Sequence, residues 1–175
     1  MKHAKTLAAA LIGAAILGLA PGALAQMGGG MMGGSSDAPR TDPTPFYNAG
    51  MAAYEAHNYS EAIRQFRSAH RAEPGNSTFN YALGLAYAGA GQEPDAQRAY
   101  ANAIRDHNAP ADAWVQLGLA ALRSGDRAKS AEQQSALQQL IASCDARCGE
   151  ARRGELQTAY NQLSQALNAA PASTP

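Results

Sequence analysis

Apolar residues through the middle of this chain return every three or four positions, with polar residues filling the gaps. Phe46, Ala49, Gly50 and Ala53 fall at i, i+3, i+4 and i+7, the spacing that places side chains on one face of an α-helix. Thr44-Pro45 ahead of them supplies a cap and a first-turn proline. A second stripe, Ala62, Ile63, Phe66, Ala69 and His70, starts at Ser60 and stops before Pro74-Gly75. Leu83, Gly84 and Tyr87 mark a third helix ending at Gly89-Ala90-Gly91, and Pro94 is placed to open a fourth. Trp114, Leu117, Gly118 and Ala121 mark a fifth, broken at Gly125-Asp126. The pattern predicts a sixth helix from Arg127 to Ser143, with Leu137, Leu140, Ile141 and Cys144 on one face. A last stripe, Leu156, Tyr160, Leu163 and Leu167, runs out before Pro171, which leaves 171–175 as a frayed tail.

These helices repeat. Gly50, Gly84 and Gly118 stand 34 residues apart, each preceded by an apolar residue: Ala49, Leu83 and Leu117. Phe66 and Tyr100, Ala62 and Ala96, and Ala69 and Ala103 keep the same step. A fixed period of this length signals stacked helical hairpins, here 44–76, 77–110 and 111–143, with a helix in 144–170 covering the open end. Glycine and alanine let two helices approach to about 8 Å, and the aromatic fills the space that remains between hairpins. The composition agrees. Of 175 residues 41 are Ala, whereas Val, Ile and Thr together number 12, too few for an ordinary sheet, so the fold class is all-α.

In this register the chain resembles the tetratricopeptide repeat (TPR) family from about Pro43 to Leu140. Phe46, Gly50, Ala62, Phe66, Ala69 and Pro74 carry the likeness in the first repeat, and Leu83, Gly84, Tyr87, Ala96, Tyr100 and Ala103 in the second. Trp114, Leu117 and Gly118 carry it in the third. Departures are Ala53 where Tyr is usual, Asn80 for the leading aromatic, Asn108 for the closing proline, and Ser130 and Gln134 for Ala and an aromatic. The last hairpin is therefore degenerate or shifted. The resemblance implies a short right-handed α-solenoid whose first helices line a concave, partner-binding groove. The residues facing it would be Tyr47, Met51 and Tyr54, then Tyr81, Leu85 and Ala88, then Val115, Leu119, Leu122 and Arg123. Family members that clamp the C-terminal carboxylate of cytosolic chaperones use Lys, Arg and Asn there. Only Asn48, Asn80 and Arg123 approach that set, so the implied partner is a protein or peptide segment held without such a clamp.

The N-terminal residues read as an address. Lys2 and Lys5 precede an apolar run from Leu7 to Leu19, and Ala23-Leu24-Ala25 closes it with the small-x-small pattern of a signal-peptidase site, so 1–25 is expected to be removed. The run is shorter than the roughly 20 residues that cross a bilayer. Residues 26–43, mostly Gly, Met, Ser, Asp, Pro and Thr, bury no face and read as a disordered arm. Met27, Met31 and Met32 are soft ligands without a His or Cys beside them, and no metal site is expected from them. An exported, periplasmic chain makes a disulfide the simplest reading of Cys144 and Cys148. Free thiols, or redox or metal chemistry, are the alternatives; the two-residue spacing of a redox motif and further zinc ligands are both lacking.

Charge and chemistry narrow the function. Fourteen basic and 14 acidic residues give no nucleic-acid footprint. His57, His70 and His107 stand at no paired ligand spacing, and no phosphate loop or nucleophile elbow occurs. The sequence thus offers no catalytic residue and calls for no cofactor. It reads as a non-enzymatic exported interaction module, the alternative being a structural subunit of an envelope assembly, pilus or secretion complex.

Overall fold

A computed structural model describes residues 41–106, 109–144 and 148–170. The signal-like segment, the arm as far as residue 40, its three methionines, His107, Asn108 and the tail lie outside them. Among the described residues the chain forms helices α1 (Thr44–Glu55), α2 (Tyr59–Ala72), α3 (Ser77–Gly89), α4 (Glu93–Ala103), α5 (Ala111–Arg123), α6 (Arg127–Ser143) and α7 (Glu150–Ala169), with no strand. Successive helices pair as hairpins α1/α2, α3/α4 and α5/α6, each stacked on the next, and α7 packs against both α5 and α6.

The period is written into the turns as well as the core. His57, Gly91 and Gly125, again 34 apart, have positive φ angles of 56°, 72° and 80°. After each, a backbone N–H closes back onto the preceding helix: Asn58 to Ala53, Gln92 to Tyr87 and Asp126 to Ala121, at 2.8, 2.9 and 2.8 Å. Two hairpins meet the left-handed requirement with glycine; the first meets it with histidine, whose Nδ1 lies 2.9 Å from Tyr59 Oη. In the first and third turns the side chain of the next residue then caps the following helix, while Gln92 in the second does not. Asn58 Oδ1 accepts from the Glu61 N–H at 3.2 Å and Asp126 Oδ1 from the Lys129 N–H at 2.9 Å. The cap of α2 is therefore Asn58, ahead of the Ser60 start read from sequence. At α1 the N-cap position is Pro43 and Thr44 is the first helical residue, its N–H accepted by the Asp42 carboxylate at 2.9 Å.

Between the helices of a hairpin, glycine makes room for a ring. A Cβ on Gly50 would sit 2.5 Å from Phe66 Cε1, and one on Gly84 would sit 2.5 Å from Tyr100 Cδ1. The third hairpin solves the same problem differently. Its equivalent of the ring is Gln134, which turns toward α7 and donates to Ser164 Oγ at 2.6 Å. Gly118 instead faces Leu163 of α7, whose Cδ1 lies 2.6 Å from where its Cβ would be. The terminal helix thus covers the open end and also supplies the core side chain that α6 lacks. Ser130, standing where the earlier hairpins have Ala62 and Ala96, is fully buried with its hydroxyl unpaired.

The buried apolar residues form two clusters. One spans α1 to α4 around Phe66, Leu83, Tyr87 and Tyr100, with Leu117 of α5 joining it. The other joins α5, α6 and α7 around Trp114, Val115, Leu137, Leu156 and Leu163. Asn80, at the position of the missing aromatic, donates to the carbonyls of Pro74 and Asn76 at 3.0 Å each and ties the start of α3 to its turn. Its neighbour Phe79 provides the ring instead, 5.3 Å from that of Tyr47.

Cys144 and Cys148 are joined in a disulfide with Cα atoms 5.2 Å apart, at the corner between α6 and α7. Arg153 of α7 donates to the Cys144 carbonyl, so the corner is held by a covalent and a polar tie. A loop this short implies a chain-entropy contribution of about 2 kcal/mol. Cys144→Ser is expected to lower stability by about that amount, measured by urea denaturation with and without reductant. Equal stability under both conditions would show that the bond does not brace the corner.

Candidate functional site

The first helices of the three hairpins present a row of half-buried apolar and aromatic side chains. Tyr47, Met51 and Tyr54 from α1 and Tyr81, Leu85 and Ala88 from α3 pack partly against the first core cluster. Leu119 and Leu122 of α5 pack partly against the second. Each keeps some exposure while its other side rests on core. Val115 is a correction to the sequence reading: it is completely buried in the cluster that includes Leu137, Leu156 and Leu163, so it serves as core and meets no partner. Asn80, 2 % exposed and fully engaged with backbone, likewise leaves the polar inventory of this face. Arg123 is exposed and paired: its guanidinium donates to Glu93 Oε1 at 2.8 Å, linking α5 to the start of α4.

One core residue backs this face from beneath. Tyr100, from α4, lies with its ring 6.0 Å from that of Tyr81 and 0 % exposed. Burial pushes its hydroxyl pKa well above the ordinary tyrosine value, with Tyr81, Tyr54 and Glu93 adding to the effect and Arg123 opposing it. Tyr81 is pushed up to about 12, chiefly by burial and then by the negative charge of Asp112 and by Tyr54. The two rings bring α3 and α4 into contact beneath the row. Both hydroxyls keep their protons at neutral pH.

With the geometry in view, two solved structures can be set beside it. The Yersinia enterocolitica type III secretion chaperone SycD, in complex with a peptide of the translocator YopD, is 21% identical, covers 73% of this chain and 95% of its own, and superposes with a TM-score of 0.59. The Sgt2 TPR domain from Aspergillus fumigatus is 24% identical, covers 80% and 91%, and gives 0.52. The fold is a right-handed TPR-type solenoid. It comprises three helical hairpins and a terminal helix. No family model and no curated protein sequence matches the chain.

Elsewhere the surface offers less. An open cleft of about 630 Å³ lies between the ends of α4, α5 and α6, with Ile104, Trp114, Ala136 and Leu140 as its apolar walls. His57 occupies a turn, and His70 sits in the last turn of α2 with its Nδ1 buried and unpaired. Among the described residues no cluster of three or more His, Cys, Asp or Glu is arranged to hold a metal ion, and no helix is long and apolar enough to cross a membrane.

Proposed function

We propose that this chain is a non-enzymatic interaction module, exported to the cell envelope, that holds a protein segment against the face made by α1, α3 and α5. The observation that carries the reading is that Tyr47, Tyr54, Tyr81, Leu85, Leu119 and Leu122 are all half-buried on the first helices of three successive hairpins. Such a row suits an extended or helical segment, with tyrosine and methionine as adaptable anchors. That SycD was solved with a peptide of another protein supports a segment as the occupant. The signal-like residues 1–25 and the disulfide support export to the periplasm.

Tyr47→Ala and Leu119→Ala chains, verified as folded by circular dichroism, are expected to capture markedly less of the envelope proteins that the unmodified chain captures. Equal capture would overturn the reading. The apolar cleft beside Trp114 favours a second one, in which the repeats pack permanently into a larger envelope assembly. Native size separates the two: a stable large complex marks a subunit, a free monomer an adaptor.

A further inference from the structure

We propose that the cleft beside Trp114 is a binding site for an uncharged, largely apolar small molecule, which Gln133 holds through its side-chain amide. The site is separate from the face made by α1, α3 and α5.

Its starting point is a crevice that the repeat makes twice with opposite chemistry. Between the first and second hairpins, His70, Asn80, Ala99 and Asn102 line a small recess of about 190 Å³. One period on, Ile104, Trp114, Gln133 and Ala136 line the cleft of about 630 Å³. Each residue of the second set stands 34 positions after its counterpart in the first. The earlier recess is polar and already engaged: Asn80 is tied to two backbone carbonyls, and Arg98 pairs with Asp95 on its wall. The later one has exchanged His70 and Asn80 for Ile104 and Trp114 and is the larger. Its Ile104, Ala136 and Leu140 remain half-exposed at the opening, apolar surface that a ligand would remove from water.

The lining selects the ligand. Among the described residues no Lys, Arg, Asp or Glu borders the cleft, so a charged group entering it would lose water and gain no partner. Its polar groups are Gln133, Gln139 and Ser143. Gln139 and Ser143 are exposed, whereas Gln133 is only 9 % exposed. The preceding hairpin fills the place of Gln133 with Ala99, so packing does not call for an amide there. Gln133 Nε2 donates to the Lys129 carbonyl at 3.4 Å, a long bond, which leaves the second N–H and the amide oxygen for a neutral donor or acceptor. An amide enclosed this far is reached by a molecule that enters the cleft, not by a protein surface lying across its rim. The volume suits a molecule of drug size.

Trp114 is the only tryptophan in the chain, so the cleft carries its own reporter. The experiment titrates the purified chain with N-phenylnaphthylamine, an uncharged fluorophore with one N–H, and follows energy transfer from Trp114. The proposal expects saturable binding at one site per chain. Octanol should displace the fluorophore, and octanoate, the same chain bearing a charge, should do so at least about tenfold less well. That competition needs no variant. Ala136→Phe, which fills the cleft from a half-exposed position, is expected to abolish binding. Gln133→Leu should weaken it about three- to tenfold, the worth of one neutral hydrogen bond. Both are compared with the unmodified chain by circular dichroism, and Tyr47→Ala, on the other face, should bind the fluorophore normally. Absence of energy transfer, equal displacement by octanol and octanoate, or unchanged binding in folded Ala136→Phe or Gln133→Leu would overturn the site. A large envelope complex that Ala136→Phe dissolves would also overturn it and give the cleft to a neighbouring subunit. None of these outcomes touches the α1, α3 and α5 face.

Discussion

Leu163→Ala is expected to lower stability by about 2–5 kcal/mol, the range for emptying a fully buried leucine site. Leu163 is 0 % exposed and reaches from α7 to Gly118, so the loss is a cavity at the junction of three helices. In a solenoid each unit is stabilised mainly by its neighbours, and damage at one end spreads inward only as far as those contacts carry it. The core division suggests where it stops. Hydrogen exchange should speed up through α5, α6 and α7, where the second cluster lies, while α2 and α4 around Phe66 and Tyr100 keep their protection. A partial rescue tests the register. Gln134 stands where the earlier hairpins carry their ring, so Leu163→Ala combined with Gln134→Phe should recover part of the lost stability. No recovery, or uniform loss of protection along the chain, would mean that α7 does not substitute for the missing aromatic.

The hairpins were legible because the residues that enforce close helix approach are few in kind and recur in step. Gly84 and Tyr100 have no freedom to be much else once the helices are this close. The half-burial expected of the first-helix residues is found where that step holds. Extending the register placed Val115 beside Tyr81 as a groove residue, but the third hairpin is covered by α7, and the same position there is interior. The exchange was signalled in sequence only negatively, by Ser130 and Gln134 failing to be Ala and an aromatic; nothing local to them names Leu163 as the replacement. His57 was hidden for a related reason. Its kinship with Gly91 and Gly125 emerges from a shared left-handed φ. Tyr100 was found as a ring, since packing treats Phe and Tyr alike; that its buried hydroxyl is unpaired is a property of its surroundings.

Gly84→Leu tests the physical basis of the whole stack. The first atom of any side chain at this position would lie 2.5 Å from Tyr100 Cδ1, and Tyr100 itself is fully enclosed, so the ring has nowhere to retreat. Overpacking of this kind costs about 1–3 kcal/mol, and more where the surrounding helices must separate. For a chain of this size each kcal/mol corresponds to a drop of about 2–4 °C in melting temperature. Gly154, inside α7 with nothing within 4 Å of its would-be Cβ, is the matched control. There Gly154→Ala should raise stability by about 0.5–1 kcal/mol, because only backbone entropy changes. If close approach were incidental to the fold, both glycines would behave alike and Gly84→Leu would melt near the unmodified chain. If approach is what the 34-residue period encodes, the two substitutions move in opposite directions, and the Gly84 variant also loses the setting that holds Tyr100 beneath Tyr81.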